Sequence, residues 1–336
     1  MITVSAPSDE LPGRTRARPW RAAGSLLVVA VAAVGLLPDL FGLDRRSPFA
    51  QLVAFRPTLL AGMVLVTGLA AGVARWRRRG WLLPAGLALV TAAGAGLVVP
   101  RALPDDIAAP VAGRTVTVLA FNTFEGRADV DAVAALVRDT RPDLVALVEA
   151  GPRYRDRLAP LLGPDYRPDG SDSSRRDVQG VSVLTHADLG AVAVQVREDT
   201  PFPSVEVTGG GLGGLRFVAF HAVAPTPGSV PQWRSDLATL GRWCANRDVG
   251  PAVVAGDFNA TLDHAVFRDA TQGCVDAAAQ TGRGLVGTWN SRLPRWLGAQ
   301  IDHVLLTGGV SALDSSVVDV PGSDHRAVLT RLRLPG

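Results

Sequence analysis

The 336-residue sequence contains no lysine and only two cysteines. Two cysteines exclude a disulfide-rich scaffold and a zinc site built from four cysteine ligands. Charged residues make up only 19% of the chain and hydrophobic residues make up 47%, which excludes an intrinsically disordered or polar linker protein. The mean hydropathy of +0.21 is high for so long a chain. Apolar residues are therefore expected to be concentrated in one part of it.

The formal net charge of +3 is an average over two unlike parts. Residues 1–101 carry 12 arginines and four acidic residues, a net charge of +8, whereas residues 102–336 carry 22 arginines and 27 acidic residues, a net charge of −5. The excess of basic residues therefore does not indicate a nucleic-acid-binding surface. An acidic second part argues against a tight grip on duplex DNA.

Three apolar stretches occupy the first hundred residues, at 22–37, 57–74 and 81–99. Each approaches the roughly 20 residues that a helix needs to cross the hydrocarbon core of a bilayer. We therefore predict a membrane domain over residues 22–100 that contacts the lipid bilayer through three transmembrane helices. A signal peptide is the alternative for the first stretch, but the polar mature chain that follows a cleavage site is missing.

Arginine clusters flank these stretches and predict an orientation. Four arginines lie in the N-terminal segment 1–21, and four more lie in the short loop 75–79. The positive-inside bias places both clusters in the cytoplasm. Three spans would then place the rest of the chain outside it, as part of a multi-pass protein of the cell membrane. Arg56, which precedes the second stretch, is expected to snorkel to the membrane interface.

After a linker over residues 101–113, the pattern changes to short β-rich runs that alternate with helical ones. Strands are predicted at 116–121, 144–148, 181–184, 215–220, 252–255, 301–306 and 327–332. Helices are predicted at 130–138 and 232–242. This alternation predicts an α/β domain over residues 114–336. The continuous apolar runs are typical of strands that are covered on both faces.

Polar residues recur where the predicted strands begin or end. They are Asn122, Glu149, His221, Asp257, Asn259, Asp302, Asp324 and His325. Each one alone has an ordinary explanation as a cap, turn or structural residue. The recurrence at six strands is the informative feature, because α/β folds bind ligands where loops converge at strand ends.

In their local context these residues resemble the motifs of the endonuclease/exonuclease/phosphatase superfamily, which includes DNase I and bacterial sphingomyelinases. The matching pieces are Phe-Asn122, Leu-Val-Glu149, Phe-His221-Ala-Val-Ala-Pro, Gly-Asp257-Phe-Asn259-Ala, Ile-Asp302-His-Val-Leu and Ser-Asp324-His325-Arg-Ala-Val. Val148 and Ala327 depart from the family pattern, which commonly has Gln and Pro there. The resemblance implies a four-layer α/β sandwich, in which two mixed β-sheets pack face to face with helices outside.

The resemblance also implies hydrolysis of a phosphate ester by metal-assisted attack of an activated water. Glu149, Asn122 and Asp324 would hold Mg²⁺, with Mn²⁺ as an alternative, since hard oxygen ligands suit these ions. Asp257 would orient or deprotonate the water, and Asn259 would hold a phosphate oxygen.

The two histidines of the resemblance are expected to face the phosphate. His325 would donate a hydrogen bond or act as general acid, with Asp302 fixing its tautomer. His221 would be a second donor. Cys244 and Cys274, 30 positions apart, are left as either a disulfide or two free thiols.

The leading hypothesis is a membrane-anchored, metal-dependent phosphoesterase, either a phosphodiesterase or a phosphatase. Its substrate could be a lipid headgroup, a soluble phosphate ester or extracellular nucleic acid, the last making it a nuclease. The alternative class is a catalytically silent interaction domain on a membrane anchor. The sequence indicates no obligate protein partner.

Overall fold

A computed structural model describes residues 19–105, 113–172, 176–245 and 250–335. The helices are α1 (Pro19–Leu36), α2 (Phe49–Leu52), α3 (Arg56–Arg77), α4 (Leu82–Val98), α5 (Val130–Thr140), α6 (Pro152–Leu162), α7 (Val230–Ala238), α8 (Gly241–Cys244), α9 (Ala265–Ala270) and α10 (Ala277–Gln280). The strands are β1 (Thr115–Asn122), β2 (Leu144–Val148), β3 (Tyr166–Gly170), β4 (Val181–His186), β5 (Val192–Arg197), β6 (Ser204–Gly209), β7 (Arg216–His221), β8 (Ala252–Asp257), β9 (Val275–Asp276), β10 (Asp302–Leu306), β11 (Ser311–Asp319) and β12 (Arg326–Arg333). Most of the basic N-terminal segment and of the predicted linker lies outside the described residues.

Two six-stranded sheets, with strand orders β11-β12-β1-β2-β4-β3 and β5-β6-β7-β8-β10-β9, form the second part of the chain, here called the sandwich domain (residues 113–335). Each sheet is mixed, because β1 and β2 run parallel in the first and β7 and β8 run parallel in the second. Alternate residues of a strand face opposite sides. Ala146 therefore packs between the sheets, while Val145 and Leu147 pack on the outside with residues of α5 and α6. The expected architecture of two packed mixed sheets flanked by helices is confirmed.

All seven predicted strands are present, and five further strands, β3, β5, β6, β9 and β11, were not predicted. Four of these lie at the edges of the two sheets. Edge strands are covered on fewer sides, so they do not need the continuous apolar run that identifies a central strand. The helix predicted over 232–242 is two helices, α7 and α8, with the break at Thr239 and Leu240.

Two helical stretches in the described part of the chain are long and apolar enough to cross a bilayer, Phe49–Arg77 and Leu82–Ala102. The prediction of three such helices is wrong for the first stretch, because the apolar helix Trp20–Leu36 is too short by the same measure. At about 1.5 Å per residue it falls short of the roughly 30 Å hydrocarbon core.

The short helix α1 nevertheless packs closely against α4. A Cβ atom at Gly86 would lie 2.6 Å from Val29, and one at Gly94 would lie 2.8 Å from Leu36. The two glycines therefore allow a close approach of the helix backbones, as small residues do in membrane helix pairs. Between α3 and α4, the hydroxyl groups of Thr67 and Thr91 are 3.0 Å apart and form a hydrogen bond.

The segment between α1 and α3, here called the connector (residues 37–55), docks on the sandwich domain. The side chain of Gln51 donates to the carbonyl oxygen of Pro225. The carbonyl oxygen of Ala50 lies 2.7 Å from Nε2 of His264, and Ala50 is fully buried in the core that covers the second sheet. The apolar helices and the sandwich domain are thus joined by packed contacts as well as by the chain.

A buried ion-pair network lies at this junction. Arg56 bonds to Asp39 of the connector and, at 3.0 Å, to Asp263 of the sandwich domain. Arg101 pairs with Asp263 at 2.8 Å, and Arg268 pairs with Asp39 at 2.7 Å. The expectation that Arg56 snorkels to the membrane interface is wrong, because its side chain is 0% exposed and its partners hold it against the sandwich domain.

Cys244 and Cys274 form a disulfide, which decides between the two states that the sequence left open. The bond closes a loop across 30 positions, so reduction should lower the free energy of unfolding by about 2–4 kcal/mol. Chemical denaturation with and without a reductant measures this. The Cys244→Ser/Cys274→Ser variant is the control, because a reductant should not shift its midpoint. An unshifted midpoint in the wild-type protein would contradict the expected stabilisation.

Candidate active site

The polar residues singled out in the sequence come together where strand ends of the two sheets meet. Asn122 ends β1, and Glu149 follows the parallel neighbour β2. In the second sheet, Asp257 at the end of β8 lies opposite His221 on one side and opposite Asp302 on the other. Two parallel strand pairs therefore deliver their carboxyl ends to one place, which is where α/β folds form sites.

Asp257 is at the centre of the hydrogen bonds in this site. Its Oδ2 accepts from Nδ2 of Asn122 at 2.9 Å, and the same Nδ2 donates to Oε1 of Glu149 at 3.0 Å. Its Oδ1 accepts from the backbone N–H of Asn259 at 2.8 Å. Asn122 thereby links two carboxylates that would otherwise repel each other.

His325 and Asp302 form a pair beside Asp257. Nδ1 of His325 lies 2.9 Å from Oδ2 of Asp302. The opposite nitrogen, Nε2, is 3.8 Å from Oδ2 of Asp257 and 3.9 Å from Oδ1 of Asp324. The bond to Asp302 orients the ring, and the backbone N–H of His325 donates to Oγ of Ser323 at 3.0 Å, which fixes the main chain at this position. Nε2 is left to face the centre of the site.

His221 is the second histidine of the site. Its Nε2 lies 3.8 Å from Oε1 of Glu149 and 3.9 Å from Oδ2 of Asp257. The ring stacks on Phe202, with 4.2 Å between the ring centroids. Burial, together with the charge of His325, lowers the pKa of His221 to about 3. A neutral His221 can donate to a phosphate oxygen but does not add positive charge.

Burial and neighbouring charges shift the pKa values of the other groups. Burial and the charge of Asp302 raise the pKa of Asp257, which makes this carboxylate a better proton acceptor. Burial works against the charged form of His325, but Asp302 and Asp257 outweigh it and raise the pKa of His325. His325 is therefore a cation at neutral pH. Burial also raises the pKa of Glu149.

Two residues of the site have unusual backbone conformations. Glu149 has a φ of 54° and Asn259 has a φ of 48°, in the left-handed region that non-glycine residues seldom adopt. Such strain persists only where the surrounding structure imposes it, and it is concentrated at functional sites.

The donor set fits a divalent cation. Ligand atoms of Asp257, Asp302 and His325 lie within 4.8 Å of one another, but a protonated imidazole does not bind a metal, so the carboxylate oxygens are the donors that suit an ion. Oδ1 of Asp302 and Oδ1 of Asp324 are buried without a hydrogen-bond partner among the described residues. Buried carboxylate oxygens need a partner, and hard oxygen ligands suit Mg²⁺ or Mn²⁺. Asn122 is less free, because its Oδ1 already accepts from the backbone N–H of the residue two positions later at 2.9 Å.

Two aromatic residues around the site were not among the predicted site residues, since the sequence left Trp289 as either substrate-facing or core and did not single out Phe202. Nε1 of Trp289 donates to Oδ2 of Asp324 at 3.0 Å, and Phe202 packs on His221. Both are aromatic residues in loops, and residue type alone does not separate such positions from core positions. Conversely His303, adjacent to Asp302, bonds to a different acid and lies outside the site. The catalytic and metal-binding roles assigned from the resemblance stay predictions.

Comparison with known proteins agrees with this geometry. The sequence model of the Endonuclease/Exonuclease/phosphatase family matches residues 119–325. An endonuclease/exonuclease/phosphatase from Beutenbergia cavernae has a TM-score of 0.53 and 21% identity, over 66% of this chain and 72% of that one. An endonuclease/exonuclease/phosphatase from Bacteroides vulgatus has a TM-score of 0.51 and 18% identity, over 66% of this chain and 100% of that one. TDP2 of D. rerio, whose structure was solved with a single-strand DNA product, has a TM-score of 0.51 and 15% identity, over 66% of this chain and 99% of that one. No protein of curated function matches the chain.

Proposed function

Since the chain belongs to the endonuclease/exonuclease/phosphatase family, whose members hydrolyse phosphate esters, we propose that it is a membrane-anchored, Mg²⁺-dependent phosphoesterase. The observation that carries the proposal is the arrangement around Asp257, whose Oδ2 lies 3.8 Å from Nε2 of the Asp302-paired His325. A proton acceptor and a cationic donor thus stand side by side, as hydrolysis of a phosphate ester requires.

In the proposed mechanism, the chain's own residues activate water and stabilise charge. Asp257, with its raised pKa, orients the attacking water and accepts its proton. Asn259 lies beside it and holds a phosphate oxygen. His325 donates a hydrogen bond to the phosphoryl group, or a proton to the leaving oxygen, and His221 is a second donor.

Glu149 and Asp324 would hold Mg²⁺, with Asn122 linking Glu149 to Asp257. The ion would neutralise charge on the phosphoryl oxygens. Mn²⁺ suits the same oxygen ligands. The orphaned Oδ1 of Asp324 and the bond of Glu149 to the same Asn122 amide that bonds Asp257 support this assignment.

We also propose that the sandwich domain lies outside the cytoplasm. The helices α3 and α4 form a hairpin, and the arginine-rich loop 75–79 at its tip is cytoplasmic by the positive-inside bias. The connector and the sandwich domain are both at the open end of this hairpin, so their placement does not depend on whether α1 spans the bilayer. The disulfide between Cys244 and Cys274 supports an oxidising compartment.

A nuclease acting on extracellular nucleic acid is the second candidate. It is favoured by the likeness to D. rerio TDP2, whose structure contains a single-strand DNA product. The net charge of −5 over residues 102–336 disfavours a duplex substrate, because phosphate contacts to lysine and arginine dominate DNA affinity. A silent interaction domain is disfavoured by the retention of the full set of acids, amides and histidines.

Metal removal tests the proposed function. The full-length protein in vesicles should hydrolyse bis(p-nitrophenyl) phosphate in Mg²⁺, lose this activity in EDTA and regain it on addition of Mg²⁺ or Mn²⁺. Phosphomonoesters, lipid phosphate esters and single-stranded DNA in the same assay would identify the substrate class. Activity that is unaffected by EDTA would contradict a metal-dependent reaction, and no hydrolysis of any substrate would favour the interaction domain.

A further inference from the structure

A cavity of about 350 Å³ lies between the connector and the sandwich domain. The connector lines one wall with Ala54 and Phe55, and the sandwich domain lines the other with Pro225, Trp289 and Ile301. Its volume is within the range of small-molecule sites, about 300–1,000 Å³. Neither part of the chain forms this cavity alone.

The walls of the cavity are mostly apolar. Two polar groups in its lining are already bonded across the junction, since Gln51 donates to the carbonyl oxygen of Pro225 and His264 bonds to that of Ala50. These bonds hold the connector in place. Besides Oε1 of Gln51, which has no hydrogen-bond partner among the described residues, and the side chains of Thr226 and Asn259, the interior is lined by hydrocarbon and aromatic surfaces. Such a cavity favours a hydrocarbon chain over a sugar or a nucleobase, which would need hydrogen-bond partners.

The cavity adjoins the candidate active site, because two of its lining residues bond to residues of that site. Asn259, which lines it, donates its backbone N–H to Asp257. Trp289, which also lines the cavity from the sandwich domain, donates Nε1 to Asp324. A molecule whose phosphate lies at Asp257 would therefore place the adjoining part of its structure between Asn259 and Trp289.

The cavity also adjoins the bilayer-spanning part of the chain. Phe55 lines it and is followed at once by Arg56, the first residue of α3. The ring of Phe55 lies 6.5 Å from that of Trp289. Elsewhere on the connector, Leu40 is 66% exposed and Phe41 is 57% exposed, which suits a segment in contact with lipid. The hydrocarbon that reaches the cavity most directly is therefore that of a membrane lipid.

We propose that this cavity is an apolar subsite that binds the hydrocarbon part of a lipid phosphate ester while its phosphate lies at Asp257 and His325. The inference rests on the proposed function, because the phosphate is the group that the active site would hold. It assigns the connector a part in substrate selection and makes the substrate-binding site a composite of both parts of the chain.

Inhibition by alkyl phosphates of increasing length tests the proposal. The full-length protein in vesicles is assayed with bis(p-nitrophenyl) phosphate in the presence of ethyl, butyl, hexyl or octyl phosphate. Each methylene that enters the cavity should lower the inhibition constant by about fourfold. Octanol should inhibit far more weakly than octyl phosphate, because it lacks the group that binds the active site.

Two matched variants separate the cavity from partition of the inhibitor into the bilayer. Ala54→Trp fills the cavity and should remove the dependence on chain length. Ala193→Trp, on the exposed edge strand β5, adds the same side chain far from the cavity and should retain it. Phe55→Ala enlarges the cavity and should shift the chain length at which the inhibition constant stops falling, so the test does not depend on the folding of one variant.

The outcomes distinguish this proposal from the proposed function. If the protein hydrolyses the substrate but the inhibition constant does not depend on alkyl chain length, the subsite is overturned. The same dependence on chain length in both tryptophan variants would also overturn it. Equal inhibition by octanol and octyl phosphate would overturn its coupling to the phosphate site. If no hydrolysis is detected, calorimetric titration with octyl phosphate still tests the cavity: binding that Ala54→Trp abolishes and Ala193→Trp retains would support the subsite although the proposed function had failed.

Discussion

Asp257→Asn is expected to lower kcat for hydrolysis of bis(p-nitrophenyl) phosphate by about 10²-fold or more. Asparagine has the same shape but only one acceptor oxygen, so it keeps the bond from the backbone N–H of Asn259 or the bond from Asn122 and not both. Its amide does not accept the proton of the attacking water. The change in KM should be much smaller, because the lost interaction belongs to the transition state. Steady-state kinetics of the full-length protein at saturating Mg²⁺ measure both constants.

His325→Ala should lower kcat to a similar degree, since it removes the cationic donor that faces Asp257. If the two residues act as a unit, the double variant should lose little more than either single variant. His186→Ala is the matched control. His186 ends β4, which runs antiparallel to β2, so it lies at the end of the first sheet away from the site, where it contacts Tyr166. Its removal should therefore leave kcat unchanged. A fully active Asp257→Asn or His325→Ala variant would contradict the assigned roles.

Asp263→Ala should destabilise the full-length protein by about 3–5 kcal/mol, the cost of breaking a buried ion pair by removing one partner. Asp263 accepts hydrogen bonds from Arg56 and Arg101, and its side chain is only 2% exposed. Its loss leaves the fully buried guanidinium of Arg56 with Asp39 as its remaining charged partner among the described residues. Chemical denaturation of the protein in detergent measures the change.

An exposed ion pair of the same type at the same junction is the control. Arg45 and Asp269 are 2.9 Å apart, and their side chains are 44% and 56% exposed. Asp269→Ala should therefore cost no more than about 1 kcal/mol. The double variant Arg56→Met/Asp263→Leu should be less destabilised than Asp263→Ala, because it removes the fully buried guanidinium together with its carboxylate and leaves Asp39 paired with Arg268. Arg101 loses Asp263 in both variants. Equal effects of Asp263→Ala and Asp269→Ala would mean that burial does not strengthen the network.

The central strands and the candidate site residues could be predicted from the sequence for one physical reason. A strand covered on both faces is a continuous apolar run, so the polar residue that ends it is conspicuous. Asn122 and Glu149 end neighbouring parallel strands, and His221 and Asp257 end another such pair. Parallel pairing then places the strand ends together without any further information from the sequence.

The sequence contains no such pattern for the edge strands or for the aromatic residues that contact the site. β3 contains Pro168, and β11 has only two buried residues among partly and fully exposed ones, so neither is a continuous apolar run. Trp289 and Phe202 reach the site from loops whose paths depend on the whole fold.

The junction could not be predicted because its partners are distant in sequence. Arg56 and Asp263 are separated by 207 positions. An arginine beside an apolar stretch is usually explained by the membrane interface, and only the fold reveals that a buried aspartate lies next to it. The error for the first apolar stretch has a different cause, since composition does not show where a helix ends, and this helix stops at Leu36, too short for the measure that the other two stretches pass.

The docking of the connector has a kinetic consequence. The bonds between Arg56 and Asp263, and between Ala50 and His264, fix the sandwich domain directly against the start of α3 instead of leaving it on a free tether. An active site held against the membrane helices in this way would meet a lipid substrate by lateral diffusion of that lipid within the bilayer. Its turnover of a lipid should depend on the mole fraction of that lipid in the surrounding leaflet, and dilution with an inert lipid should slow it even when the bulk concentration is constant.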